Sequence, residues 1–130
     1  MPRFVEITNV TRNTTLVDRC RIASSARDRT VGLLGTPPPG EPLLIERSPS
    51  IHMFFMRYPI DVVFIDKVAR VTKVVPGLKP WRVVWWARGA RDCLELPAGA
   101  LSGTATRAGD QLAIADLPLG PSNRGVSTEY

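Results

Sequence analysis

Three side chains in the central and later parts of the chain are of the types that acid–base catalysis uses. Asp61 and Glu95 lie among apolar residues, in the segments YPIDVVF and CLELPAG, and His52 is the only histidine. Two carboxylates in one cleft can act as general acid and general base, and a histidine beside a serine or cysteine can activate it as a nucleophile. Asp61, Glu95 and His52 are therefore the candidate catalytic residues of a hydrolase-type enzyme.

Each of these residues also has a structural interpretation, which the sequence favours. A buried carboxylate is costly unless it is hydrogen-bonded or paired, so Asp61 is expected to accept bonds from turn amides or to pair with Arg29 or Arg57. Glu95 can pair with an arginine in the same way, and a single histidine is typically a hydrogen-bonded structural or rim residue. A metal site needs about three protein ligands. No residues are spaced for one, so neither a metal nor another cofactor is predicted.

The segment KPWRVVWWARGAR, residues 79–91, interleaves tryptophan with basic residues. Aromatic rings that stack on bases or sugars, together with charges for a phosphate backbone, are the components of single-stranded nucleic-acid sites. Trp85 and Trp86 are adjacent, so in a regular strand they point to opposite faces, and at least one is expected to be exposed or to pack under a loop. The alternative is a strand with tryptophan in the core and arginine in solvent. Nucleic-acid binding is not favoured, because the chain has no run of five like charges.

The favoured function is a non-enzymatic binding module. No nucleophile elbow accompanies the candidate catalytic residues, which weakens the enzyme alternative. The expected ligand is a small polar molecule, a glycan or a peptide, and another protein is an alternative partner. The predicted binding cleft is lined by His52, Arg57, Asp61, Trp81, Trp86 and Glu95.

Short β-strands are expected to position these side chains. Twelve prolines and ten glycines in 130 residues indicate many turns, and short runs rich in Val, Ile, Phe and Trp between turn residues are typical of a sandwich or barrel. In SSARDRTVGLLG, Ser25 can cap a helix, Asp28 completes a capping box and Gly35 suits the C-terminal end. The fold class is therefore mainly β, a small antiparallel β-sandwich or barrel with one short α-helix at about residues 25–35. The predicted strands cover residues 3–9, 15–23, 43–46, 51–56, 61–65, 70–75, 81–86, 92–96 and 111–114.

A hairpin is predicted at the centre of the chain, with residues 51–56 paired to residues 61–65 around a turn at Tyr58-Pro59. Side chains alternate between the two faces of a strand. In this hairpin His52 lies opposite Ile65. The residues predicted on one face are His52, Phe54, Met56, Asp61, Val63 and Ile65, and those on the other are Met53, Phe55, Arg57, Ile60, Val62 and Phe64.

The length of the chain predicts one domain. Residues 1–115 are expected to form it, and residues 116–130, which lack periodicity, a flexible C-terminal tail. The net charge of +5 fits an anionic partner but is also ordinary for a soluble protein. No apolar run is long enough to cross a membrane, and the N-terminus is too polar for a signal peptide, so a cytoplasmic protein without a membrane partner is expected. Cys20 and Cys93 form no CxxC pair and are expected to be buried free thiols.

Five segments in order give the chain a family resemblance: RTVGLLG, SIHMFFMRYPIDVVFID, VVPGLKPWR, ARGARDCLELPAG and AGDQL. Together they resemble domain-of-unknown-function family 192 (DUF192), in its branch with a His-x-Phe-Phe-Met-Arg-x-Pro-Ile-Asp motif, over about Arg3 to Ile114. The resemblance implies a mainly β fold with one short helix near the N-terminus. It implies no activity and no catalytic residue. The chain departs from the family after Asp66, where DKVAR lacks the usual glycine, so a longer loop is expected there. The matching motif positions are Gly32, Leu33, Met56, Asp61, Glu95, Gly99, Gly109 and Asp110.

Overall fold

The computed structural model describes residues 3–23, 41–53, 57–84 and 87–118, and for His52 the backbone alone. Each predicted strand segment overlaps an observed strand, which confirms a mainly β fold. The described residues include no helix, and so none that is long and apolar enough to cross a membrane. The predicted helix at residues 25–35 lies outside the described residues. The strands are β1 (Phe4–Asn9), β2 (Thr14–Ala23), β3 (Leu43–Ile45), β4 (Ile51–His52), β5 (Ile60–Ile65), β6 (Val71–Leu78), β7 (Val83–Val84), β8 (Asp92–Pro97) and β9 (Leu112–Asp116).

The described strands form a large sheet and a small one. Seven strands pair in the order β6-β5-β8-β3-β2-β1-β9, and β4 pairs with β7. The first two strands form a hairpin, and the other edge of β1 pairs with β9, where Asn9 lies opposite Leu112. The prediction of a purely antiparallel sheet is wrong at one pair, because β2 and β3 are parallel. Residues 24–42 connect these two strands, which is enough chain for the crossover that a parallel pair requires.

The large sheet curls until its two edge strands meet at one end. A β-bridge joins Arg70, just before β6, to Gln111, just before β9. Beside this bridge the Val71 N–H donates to the carbonyl of Asp110 at 2.8 Å, and the Leu112 N–H donates to the carbonyl of Ala69 at 2.9 Å. The sheet is therefore a half-barrel that is closed at the end where residues 66–71 meet residues 109–112.

Both faces of the large sheet are buried at its centre, where every residue of β5 is buried. Val62 and Phe64 belong to one hydrophobic cluster, together with residues of β3 and β4. Val63 and Ile65 belong to a second cluster, together with residues of β1, β2 and β8. A strand with two buried faces is expected to be a continuous apolar run, and Asp61 is the exception in IDVVFI. The predicted alternation along this strand is confirmed.

The predicted central hairpin is wrong in its pairing. His52 lies opposite Val83 in the small sheet, not opposite Ile65. The edges of β5 are taken by β6 on one side and by β8 on the other, so the segment that begins at Ile51 has no edge of β5 to join. The Met53 N–H instead donates to the carbonyl of Arg82 at 2.8 Å. Phe54, Phe55 and Met56 lie outside the described residues.

The loop between β5 and β6 has the greater length that the missing glycine predicts. One carboxylate oxygen of Asp66 accepts hydrogen bonds from the N–H groups of Val68 and Arg70, at 2.9 and 3.0 Å. The residue in the left-handed region is Ala69, with φ of 63°. A five-residue loop held by an aspartate thus replaces a tight turn that would need glycine.

Both cysteines are buried free thiols, as predicted. Cys20 lies in the cluster of Val63 and Cys93 in the cluster of Val62, on the two sides of the sheet. Burial is the main cause that raises the pKa of Cys20 to about 12. Since the thiolate is the reactive form of cysteine, Cys20 is a packing residue at neutral pH.

Candidate functional site

Asp61 is the carboxylate of β5, and its hydrogen-bond partners are backbone amides. One oxygen accepts from the Gly77 N–H at 2.8 Å, and the other accepts from the N–H groups of Gly99 and Leu101, both at 3.0 Å. Only 2% of the residue is exposed. The structural interpretation of Asp61 is thereby confirmed: its carboxylate ties β6 and the loop after β8 to the start of β5.

The two glycines that bind Asp61 have backbone conformations that other residues adopt at a cost. Gly77 has φ of 61° and Gly99 has φ of 92°. A Cβ atom would meet nothing within 4 Å at either position, so space does not explain the glycines. The positive φ does, since it costs a residue with a side chain roughly 1–2 kcal/mol. These conformations turn the two N–H groups towards the carboxylate.

A groove of about 550 Å³ lies over Asp61, between β6 and the loop that follows β8. Its volume is in the range of small-molecule sites, which is roughly 300–1,000 Å³. Its walls are mostly apolar, with the hydroxyl groups of Ser102 and Thr106 as polar groups, which is also typical of such sites. The described lining residues are Asp61, Val74, Pro76, Gly77, Gly99, Leu101, Ser102, Gly103, Ala105 and Thr106.

A buried polar network anchors the far end of the loop that follows β8 and lines the groove. Asp110 accepts hydrogen bonds from Asn9, from the guanidinium of Arg12 and from the Arg107 N–H, at 3.0 to 3.2 Å. Asn9 also donates to the Thr106 hydroxyl at 3.0 Å, which links the network to the groove. The Arg12 hydrogen bonds, followed by that from Asn9, lower the pKa of Asp110 to about 2. Sequence reasoning gave the network no role, and its signal was Asp110 in the motif AGDQL.

Glu95 and Asp61 lie on opposite faces of the large sheet. In the pairing of β5 with β8, Asp61 is opposite Leu96 and Val62 is opposite Glu95. Paired residues point to the same face and neighbours along a strand to opposite faces. Glu95, which is also buried, therefore lies on the side of Val62, and the structure does not bring the two carboxylates together.

The other residues of the predicted cleft do not line the groove either. Arg57 is exposed and is absent from the groove lining. Trp81 is 59% exposed and is likewise absent from the groove lining. Its backbone is in the left-handed region, with φ of 68°. The side chain of His52 and all of Trp86 lie outside the described residues. Of the predicted set, Asp61 alone among the described side chains lies at the groove.

The left-handed backbone of Trp81 predicts an unusual order of stability among its variants. Trp81→Gly is expected to be more stable than Trp81→Ala by up to about 1 kcal/mol, because glycine removes the left-handed penalty of roughly 1–2 kcal/mol and loses part of that gain in entropy. Urea unfolding measures the difference. Val68, which is also exposed but is not among the residues with positive φ, is the matched control. There glycine is expected to be the less stable of the two by about 0.5–1 kcal/mol; the same order at both positions would contradict the assignment of strain.

The fold and the groove define a class of protein: a small, mainly β protein with a ligand-sized groove over a buried aspartate. Comparison with known proteins shows the family to which the chain belongs. The chain belongs to the DUF192 family, also called UPF0127 and described as "Uncharacterized ACR", whose profile matches residues 7–114.

Two relatives agree with this assignment. The chain is 35% identical over 111 residues to UPF0127 protein PH1112 of Pyrococcus horikoshii, covering 82% of this chain and 96% of that protein. It is 31% identical over 109 residues to UPF0127 protein PF1050 of Pyrococcus furiosus, covering 80% and 93%.

Two crystal structures share the fold at 19% identity. One is a protein of unknown function from Novosphingobium aromaticivorans, with a TM-score of 0.66 over 85% of this chain and 83% of that one. The other is a putative transcription regulator from Sinorhizobium meliloti, with a TM-score of 0.70 over 88% and 94%. Identity at this level shows a common fold and carries no function with it.

Proposed function

We propose that this protein is a non-enzymatic binding module whose ligand occupies the groove over Asp61. The observation that carries the proposal is the groove itself, with its volume of about 550 Å³ and its few polar groups among apolar walls. Asp61 acts beneath it as a brace, since its three amide bonds fix both sides of the groove. A site that is held in shape before binding loses less entropy when the ligand arrives.

Two features argue against the enzyme alternative. A general base must reach the proton that it removes, and Asp61 is buried with both oxygens already hydrogen-bonded to the backbone. An acid–base pair needs two groups at one site, and Glu95 lies on the other face of the sheet. Binding without turnover is the function that fits this arrangement.

The surroundings of the groove disfavour a peptide and a glycan, which leaves a small polar molecule among the three expected ligands. An extended peptide would add to the outer edge of β6, and Lys73 and Pro76 in that strand are the residues that protect an edge from such pairing. Sugars bind by stacking on aromatic rings, and no aromatic residue occurs in the described lining. The hydroxyl of Ser102 is the exposed polar group at the groove.

Substitution of Ser102 tests the proposal. A metabolite library is screened by ligand-observed NMR against the wild type, Ser102→Trp and Ser102→Ala. The indole of Ser102→Trp is expected to fill the groove and weaken hits at least tenfold. Ser102→Ala, the matched control, is expected to stay within about threefold, because a solvent-exposed hydrogen bond contributes near the lower end of the usual range, about 0.5 kcal/mol, which is a factor of about two.

Two results would refute a groove ligand. One is a library without any hit, and the other is a set of hits that the tryptophan variant binds as well as the wild type. Ser102 is exposed in a loop, so both variants are expected to keep the fold. Far-ultraviolet circular dichroism checks this.

A second candidate is nucleic-acid binding through residues 79–91, and Trp81 is the observation that favours it. The indole is exposed next to Lys79 and Arg82, which are also exposed. A stacking ring beside two cations suits single-stranded nucleic acid. If this candidate holds, Trp81→Gly and Trp81→Ala both lose salt-sensitive oligonucleotide binding and Val68→Ala keeps it; absence of wild-type binding at low salt would end it.

A further inference from the structure

A second concavity, of about 340 Å³, lies between the loop after β3 and the start of β8. Its described lining is entirely charged: Glu46, Arg47, Arg91 and Asp92. None of these residues lines the groove over Asp61. These four residues form the polar cleft, which is separate from the groove.

Asp92 holds both arginines of the polar cleft in place. Its carboxylate is buried, and it accepts hydrogen bonds from Nε and Nη2 of Arg91, both at 3.2 Å. The same carboxylate accepts from the backbone N–H of Arg47 at 3.0 Å. One arginine is thus fixed through its guanidinium and the other through its main chain. Arg91 keeps its remaining N–H groups for other partners, since a guanidinium has five.

Arg47 occupies a position where its backbone is strained. Its φ is 57°, in a region where glycine or asparagine costs less than arginine. The backbone bond to Asp92 would be available to any residue other than proline, so it does not explain the arginine. Among the hydrogen bonds and ion pairs of the described residues, the Arg47 guanidinium takes no part. What an arginine adds at this strained position is a positive charge on the lining of the cleft.

The polar cleft contains one ion pair that is already neutralised and two further charges of opposite sign. These two charges are called open because they form no ion pair among the described residues. The Arg91 guanidinium and the Asp92 carboxylate neutralise each other, and the hydrogen bond that Arg91 donates to Asp92 is the main cause that raises the pKa of Arg91. Arg47 supplies the open positive charge and Glu46 the open negative charge on the same lining. A simple anion would gain from Arg47 but would be repelled by Glu46. A ligand that carries both signs can satisfy both residues.

We propose that the polar cleft binds a small zwitterion with a carboxylate and an ammonium group, the pair that every free α-amino acid carries. The carboxylate lies against Arg47 and the outer N–H groups of Arg91, because charge-assisted bonds to guanidinium are strong and directional. The ammonium lies against the carboxylate of Glu46. This site is separate from the proposed groove ligand, so either can fail without the other.

Titration with glycine, and separately with acetate and methylammonium, tests whether the ligand must carry both charges. Amide resonances of the ¹⁵N-labelled protein are followed during addition of glycine, acetate or methylammonium. Glycine is expected to shift residues 46–48 and 91–92 with a dissociation constant on the order of 1 mM, and acetate and methylammonium are each expected to bind at least tenfold more weakly. No shift with glycine at 50-fold that concentration, or acetate binding as tightly as glycine, would overturn the proposal.

Variants of the two open charges complete the test. Arg47→Gly suits the positive φ and is expected to stay folded while binding glycine at least tenfold more weakly. Glu46→Gln is expected to lower glycine affinity to that of acetate. Asn13→Gly, at φ of 56° on an exposed turn, is the control that changes a left-handed residue without changing charge, and it is expected to bind as the wild type does. An Arg47→Gly variant with wild-type affinity would refute the site.

Discussion

Replacement of Asp61 by alanine is expected to lower the free energy of unfolding by about 3–4 kcal/mol. The change leaves the N–H groups of Gly77, Gly99 and Leu101 without their acceptor, and each buried unsatisfied group costs about 1–3 kcal/mol. The total lies at the lower end of that sum, because water in the groove can reach some of these amides. Urea denaturation followed by circular dichroism measures the loss.

Two variants separate the amide bonds from the loss of charge. Asp61→Asn keeps the shape but sets an NH₂ group against at least one N–H donor, so it is expected to lose about 2–3 kcal/mol. Asp18→Asn removes an exposed carboxylate and is expected to change stability by less than about 0.5 kcal/mol. If Asp61→Ala lost less than about 1 kcal/mol, the brace assigned to this carboxylate would have to be abandoned.

Asp110 is expected to give the protein a distinct loss of stability in acid. Its pKa is lowered to about 2 in the fold, first by the hydrogen bonds from Arg12, against about 3.9 in an unfolded chain. A lowered pKa stabilises the fold above the unfolded value and loses that contribution as pH falls through the folded value. About 2 kcal/mol should therefore be lost between roughly pH 4 and pH 2.

Asp110→Asn is expected to remove that acid-dependent component and to cost about 2–3 kcal/mol at pH 7, because an amide cannot accept all the bonds that Arg12, Asn9 and Arg107 donate. Unfolding free energies measured from pH 7 to pH 2 test both parts. Asp116→Asn is the control: its ion pair with Arg3 is exposed, so its effect should stay below about 1 kcal/mol. An unchanged pH profile in the Asp110 variant would contradict the lowered pKa.

Local patterns predicted the strands but not all of their partners. Alternation placed β1, β2 and β5 and the two faces of β5, because side-chain period is a property of each strand alone. Pairing depends on competition for edges. The segment at Ile51 is near β5 in sequence, yet β6 and β8 occupy the edges of that strand, and nothing local to SIHMFFM shows this.

The site was predictable in one residue and not in its surroundings. Asp61 stood out because a carboxylate interrupts an apolar strand, and that signal was sufficient to predict a buried, hydrogen-bonded side chain. Its partners are 16, 38 and 40 residues away, beyond the reach of any local pattern. Glu95 attracted attention for the same reason as Asp61, but which face it occupies follows from the register of β8 on β5. The strained positions of Arg47 and Trp81 have no sequence signal, since neither residue favours positive φ.

The pairing of β1 with β9 has a consequence for synthesis of the chain. The outer edge of β1 is completed by residues 112–116, so during translation the N-terminal strand waits for about a hundred residues, which takes roughly 5–20 s at 5–20 residues per second. Throughout that time its backbone donors and acceptors are open to other nascent chains. The hairpin with β2 can form early and shield one side, but the half-barrel cannot close co-translationally until its last strand emerges. The period of greatest exposure to aggregation therefore falls before β9 has been made.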